Sequence, residues 1–125
     1  MSEPTACACG SAPKLIFPCS GAADVGAIAD QAARKLNKNG AGKMFCTAGL
    51  GGRVPGILAT TGAAAKILAI DGCPLNCVKL SLENAGFSKF EHLQLADLGM
   101  KKGATEVSAE NVEKVMAAAA EKLCK

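Results

Sequence analysis

Three short apolar runs in this chain end in cysteine, and they do so at a constant interval. Cys19, Cys46 and Cys73 are each 27 residues apart, and Cys77 follows Cys73 with three residues between them. A βαβ unit takes about 30 residues, so this interval fits one strand plus one helix that returns to start a parallel neighbour. Read that way, the cysteines occupy equivalent places at the carboxyl ends of neighbouring strands. Open α/β sheets bind their ligands there.

The rest of the chain agrees with this reading. Residues 14–18 form a first apolar run, with Pro18 at its end, where a missing N–H is tolerated. Asp24 is placed to cap a first helix that ends near Asn39 and Gly40, with Val25, Ile28, Ala32 and Leu36 on one face. Residues 43–46 read as a second, short strand, and residues 47–52 as a glycine-rich loop, open to a gating role over the cysteines. A short helix over residues 54–61 follows, with Pro55 in its first turn and Gly62 at its end. Residues 66–70 are continuously apolar, as expected of a central strand buried on both faces.

Asp71 to Pro74 then turn into a third helix whose core stripe is Leu75, Val78, Leu82 and Ala85. Residues 92–98 read as a fourth strand. Ser108 caps a last helix with Val107 and Val112 as a hydrophobic staple, and Val112, Val115, Met116, Ala119 and Leu123 form its buried stripe. Alternating strands and helices predict an α/β three-layer sandwich with a four-stranded parallel sheet. Right-handed crossovers leave few arrangements, and the order 2-1-3-4 is expected, a flavodoxin-like or Rossmann-like fold. Residues 1–13, which carry Cys7 and Cys9, read as a tail, and residues 14–125 as one domain.

Composition narrows the function. With 125 residues, half of them apolar, the chain can bury a core without disulfide staples. A net charge of +3, with no Trp or Tyr and only 4 Phe, offers no basic stripe with aromatic platforms, so nucleic acid is not an expected partner. No cationic start with an apolar core marks a signal peptide, and no run approaches a membrane span. The expected location is cytoplasmic, where seven cysteines point to metal or redox chemistry before disulfides.

Under the order 2-1-3-4, Cys46, Cys19 and Cys73 lie on three adjacent strands about 4.8 Å apart, with Cys77 one helical turn beyond Cys73. Four thiolates converging on one point can hold a soft metal ion, and Cys19, Cys46, Cys73 and Cys77 are the expected ligands. Helix N-termini favour the thiolate form. Asp71 is read first as a cap of the third helix, and Ser20 and Thr47 as hydroxyls that satisfy turn N–H groups. His92, the sole histidine, falls at the start of the fourth strand, away from the cysteines, and is not expected to be a ligand. Cys124, near the chain end, has no expected role.

The segments 19–26, 42–49 and 69–77 resemble the DGC-domain family, named for the triplet seen here as Asp71, Gly72 and Cys73. The resemblance covers roughly residues 14–100. It implies a small prokaryotic protein described as zinc-binding, with Cys19, Cys46, Cys73 and Cys77 as the family's four shared cysteines. It supplies a metal, Zn2+, and no reaction, so no catalytic residue is named. The role then expected is metal buffering, transfer or sensing. An iron–sulfur cluster suits four cysteines equally well. Two thiol enzymes remain as alternatives: a Cys73/Cys77 redox dithiol, and an oxyanion loop from Cys46 to Arg53 like that of cysteine phosphatases and arsenate reductases. The loop has six intervening residues where those enzymes have five.

Overall fold

The computed structural model describes residues 12–124. The tail that carries Cys7 and Cys9 lies outside the described residues. The elements follow as β1 (Lys14–Pro18), α1 (Asp24–Lys38), β2 (Lys43–Met44), α2 (Thr47–Gly51), α3 (Pro55–Gly62), β3 (Lys66–Asp71), α4 (Cys77–Asn84), β4 (Glu91–Gln94) and α5 (Ala109–Leu123). The sheet has four parallel strands in the order β2-β1-β3-β4. β1 and β3 are the two inner strands and pair over five residues, Lys14 with Lys66 through Pro18 with Ile70.

Strand alternation divides the core into two layers. Ile16, Leu68 and Ile70 pack with Val25, Ile28, Ala29, Ala32 and Leu36 of α1 and with Val112, Val115, Ala119 and Leu123 of α5. Leu15, Phe17, Ile67 and Ala69 face the other way, against Leu50 of α2 and Val78 and Leu82 of α4. Period-two alternation with both faces apolar is what a strand covered on both sides requires. The result is the expected three-layer sandwich. Gly40 and Gly86, at φ +83° and +96°, end α1 and α4 in left-handed turns. The amides of Ala41 and Phe87 bond back to the carbonyls of Leu36 and Leu82, which satisfies the last carbonyls of each helix.

Several boundaries differ from expectation, each for a local reason. Asp24 is the first residue of α1, and Ala23 holds the capping position. Regular β2 stops at Met44, although the Phe45 amide still bonds to the Ile16 carbonyl at 2.8 Å. Phe45 then sets its ring edge-on to Phe17, with centroids 5.9 Å apart. Residues 47–51, expected as a mobile glycine-rich loop, are helical: the Cys46 sulfur accepts the Gly49 N–H at 3.3 Å and caps α2. Gly49 and Leu50 are buried, so this segment is part of the packed structure.

α4 begins at Cys77, not at the DGC turn. Asn76, at φ 56°, is left-handed and stops the helix from extending backwards. Leu75 therefore points away from the core and is 64% exposed, while Val78 and Leu82 are buried as expected. β4 ends at Gln94, and residues Leu95–Leu98 form a 3-10 turn. Leu95 and Leu98 both pack against the α1/α5 layer. A strand would send these two residues to opposite faces, whereas i and i+3 of a 3-10 turn align. Ser108 caps α5 through its hydroxyl, which accepts the Asn111 N–H at 3.2 Å, and the α5 stripe is buried as expected, with Met116 partly so. Val107 stays 42% exposed and Val112 is buried.

Candidate functional site

The carboxyl rim of the sheet carries all four core cysteines. Cys19 directly follows β1, and its amide bonds to the Ile70 carbonyl at 2.9 Å, one step beyond the β1–β3 ladder. Cys46 follows β2 and caps α2. Cys73 lies in the turn after β3, and Cys77 opens α4. All four are free thiols: Cys46 and Cys77 are exposed, Cys19 and Cys73 half-buried. Cys19 packs against both core layers and Cys73 against the α1/α5 layer. With β1 between β2 and β3, Cys19 is the central member of the row.

Backbone packing makes this rim tight. A Cβ at Gly72 would fall 3.0 Å from the Val25 carbonyl carbon and 3.1 Å from the Gly26 nitrogen. A Cβ at Gly26 would fall 2.5 Å from the Gly21 oxygen. The first turn of α1, the Cys19 turn and the DGC turn thus meet backbone to backbone, and only glycine allows that approach. Ser20 and Asn76, beside Cys19 and Cys77, both hold left-handed conformations at φ 53° and 56°. Such non-glycine strain is held in place by side chains: Ser20 donates to Asp30 at 2.7 Å, and Asn76 accepts from Gln94 at 2.6 Å.

Asp71 is the buried hub under the Cys73–Cys77 turn. It is 1% exposed, and its carboxylate accepts the Val78 N–H at 2.8 Å and the Lys79 N–H at 3.1 Å. It therefore caps α4, as expected, from the end of β3 across the intervening loop. His92 Nε2 sits 2.9 Å from the same carboxylate. This overturns the expectation that His92 lies at the far end of the sheet. β4 pairs only with the second half of β3, from Leu68–Glu91 to Asp71–Gln94, so the first residues of β4 already stand near the rim. Periodicity alone does not reveal such a late start.

Beyond Cys19, on the β2 side, a cavity of about 920 Å³ opens between α1 and α2. Cys19 and Cys46 line it together, with Ser20, Asp30, Arg34 and Asn37. Cys73 and Cys77 are not part of its lining. Burial works to raise the Asp30 carboxyl, but the hydrogen bonds from Arg34 and Ser20 outweigh it and hold the group below the ordinary aspartate value. Arg34 is correspondingly raised, chiefly by its hydrogen bond to Asp30. The Ser20 hydroxyl is thus committed to Asp30, and that of Thr47 donates to the Pro18 carbonyl at 2.8 Å. Neither serves a turn N–H, in contrast to the expectation. The signal for the Ser20–Asp30–Arg34 chain lies in the i, i+4 spacing of Asp30 and Arg34 on α1.

The guanidinium of Arg53 donates to the Asn84 carbonyl at the end of α4 and is not among the groups lining the Cys46 cavity. A phosphate-type loop needs its arginine over the nucleophile, and here that arginine is engaged elsewhere. Donor chemistry at the rim suits a soft metal, since the thiols are free and share one edge. Among the described residues, however, no three His, Cys, Asp or Glu side chains stand close enough together to hold an ion. The backbone brings the four thiols to one rim, and the side chains as placed do not form a closed donor set.

An α/β domain with free cysteines at the ends of three adjacent parallel strands defines a thiol-bearing rim protein. The family is explicit: the DGC domain model matches residues 15–119, and the chain belongs to the DGC domain family. It is 39% identical over 88 residues to the anaerobic and virulence modulator AnvM of Pseudomonas aeruginosa, an alignment that covers 70% of this chain and 67% of that relative. No solved structure matches the chain.

Proposed function

We propose that this protein binds a thiophilic metal ion, zinc in the first instance, through Cys19, Cys46, Cys73 and Cys77. The observation that carries the reading is the placement of four free thiols on one rim, three of them at the ends of adjacent strands. A bound zinc ion would add a cross-link between strand ends that are otherwise joined by backbone hydrogen bonds and by the contacts of Thr47 with Pro18 and of His92 with Asp71. The chain's own contribution is to hold those ends. Asp71 anchors the start of α4, and so Cys77, while the glycine contacts of Gly26 and Gly72 set the spacing of the Cys19 and Cys73 turns. Cys19 and Cys46 share the cavity, whereas Cys73 and Cys77 do not line it, so loading would draw the thiols together.

A site that closes on loading suits a protein whose state reports metal supply. The name of AnvM, a modulator, favours that sensing role over buffering or transfer, exercised away from nucleic acid and, by expectation, in the cytoplasm. No helix among the described residues is long and apolar enough to cross a membrane.

Elemental analysis of protein purified without added metal, with an alkylation count of reactive thiols, tests the reading. About one zinc per chain with the four rim thiols protected is expected, and Cys73→Ser should lose the zinc. Less than about half an equivalent after zinc loading, with all four thiols still reactive, would overturn it. A brown, visibly absorbing protein from anaerobic purification would reassign the same cysteines to an iron–sulfur cluster.

A further inference from the structure

The cavity between α1 and α2 carries polar groups that the metal reading leaves unused. Asp30 divides its carboxylate: Oδ1 accepts the Ser20 hydroxyl at 2.7 Å, and Oδ2 accepts the Arg34 Nε–H at 2.7 Å. With one oxygen given to Ser20, Asp30 does not close a two-bond fork with the guanidinium. Among the described residues, no group meets either Nη of Arg34. The Arg34 side chain is anchored at Nε yet 67% exposed, so its outer edge is oriented but unspent. Asn37 is set in a similar way. Its Oδ1 accepts the Met44 N–H at 2.6 Å, which leaves the Nδ2 donors over. Residues i and i+3 of a helix are neighbours, so the two sets of donors stand side by side on α1. Both residues line the cavity, together with the half-buried Met44 and Phe45 and the thiols of Cys19 and Cys46.

We infer that this cavity is a binding site for a small organic carboxylate, held by the open edge of Arg34 with Asn37 Nδ2 beside it. The planar guanidinium fork matches a carboxylate in two parallel N–H···O bonds. Charge selects against a phosphate. Among the described residues, Arg34 is the one cationic side chain in the lining, and Asp30 faces the same space. A second negative charge on the ligand would meet Asp30 without a cation to offset it. The start of α2 adds no donor from Gly49, whose N–H is spent on the Cys46 sulfur. The ligand's apolar body packs on Met44 and Phe45 and covers Cys19 and Cys46. Occupancy therefore shields these two thiols and leaves Cys73 and Cys77, which lie outside the lining, untouched. Neither the anchor nor the cover needs a metal.

A nuclear magnetic resonance titration of the full chain tests this, after removal of metal and then of the chelator, itself a carboxylate. Benzoate should move the Arg34 Nε–H signal and the amides of Thr47, Ala48 and Gly51, which line the cavity, along saturable curves. Neutral benzamide and inorganic phosphate should not. Benzoate should also slow alkylation of Cys19 and Cys46 by iodoacetamide while Cys73 and Cys77 keep their own rates. Arg34→Gln should weaken benzoate binding about tenfold or more, the usual worth of a hydrogen bond between charged partners. Arg34→Lys, which keeps the charge and lacks the fork, should restore little of it. Unmoved amides in β1 and β3 check that both variants stay folded. Absence of saturation by benzoate would overturn the inference. So would an equal response to benzamide or phosphate, equal protection of all four thiols, or full binding by either variant. Zinc content is read on separate samples, so failure here leaves the rim reading untouched, and the reverse holds as well.

Discussion

Asp24 and Asp71 show how much one carboxylate decides in this protein. Asp24, read from sequence as a helix cap, reaches across the fold. Its oxygens accept the N–H groups of Gly103 at 2.9 Å and Thr105 at 3.0 Å, fastening the connection into α5 to the start of α1. These two backbone bonds, Gly103 first, hold its carboxyl below the ordinary value of 3.8. The sign follows from linkage. A depressed folded-state value stabilises the protein above the unfolded-state value, and that contribution is lost as the pH falls through the folded-state value. Urea midpoints of wild type and Asp24→Asn should therefore differ most at neutral pH and converge as the pH drops from roughly 5 to 2. A gap that stays constant over that range would show that the charge is not what fastens the loop. Asp71 is legible in the sequence as a cap, but its partner His92 is not, because the register that joins them depends on where β4 begins.

At the scale of elements, close approach of α1 to the rim is the decisive contact. Gly26 sits in the first turn of α1, and a methyl group there would meet the backbone of Gly21. Gly26→Ala should cost roughly 1–3 kcal/mol, the range for forcing extra volume into a packed site. If the proposed rim site takes zinc, the substitution should also weaken its uptake, since the Cys19 turn would have to move. Gly56, in α3, has nothing within 4 Å of its added Cβ, so Gly56→Ala should be neutral or stabilise by up to about 1 kcal/mol. Thermal melts of the two variants, with zinc titrations, check both signs. Equal effects would mean that the glycine contacts at the rim carry no weight. The helical state of residues 47–51 belongs to this scale too. Two glycines in five residues, with Gly52 just beyond, argue for a loop, and the cysteine cap together with burial of Leu50 under α4 overrides that preference.

For the molecule as a whole, stability is concentrated in the two inner strands. β1 pairs with β3 along its full length, and both strands bury both faces, with Leu15, Ile16, Phe17, Leu68, Ala69 and Ile70 wholly inaccessible. β2 adds two paired residues and β4 four, and α3 buries only Thr61. Local opening free energy follows burial and hydrogen bonding. Native-state hydrogen exchange should therefore find the slowest amides in residues 15–17 and 67–70 and much faster ones in α3. Amides of α3 as slow as those of β3 would contradict this distribution.

Strand number, parallel sense, the order 2-1-3-4 and the seating of four cysteines on one rim all follow from short-range information. Apolar periodicity is local, the 27-residue interval repeats a single supersecondary unit, and handedness leaves few ways to join such units. Where an element stops and what a polar side chain finds there depend on residues remote in sequence. That is why Leu75 faces solvent, why His92 meets Asp71 and why Asp24 holds a loop some eighty residues away. Those contacts arise from the register of β4 and the packing of α1 on two turns, which exist only once the layers have come together.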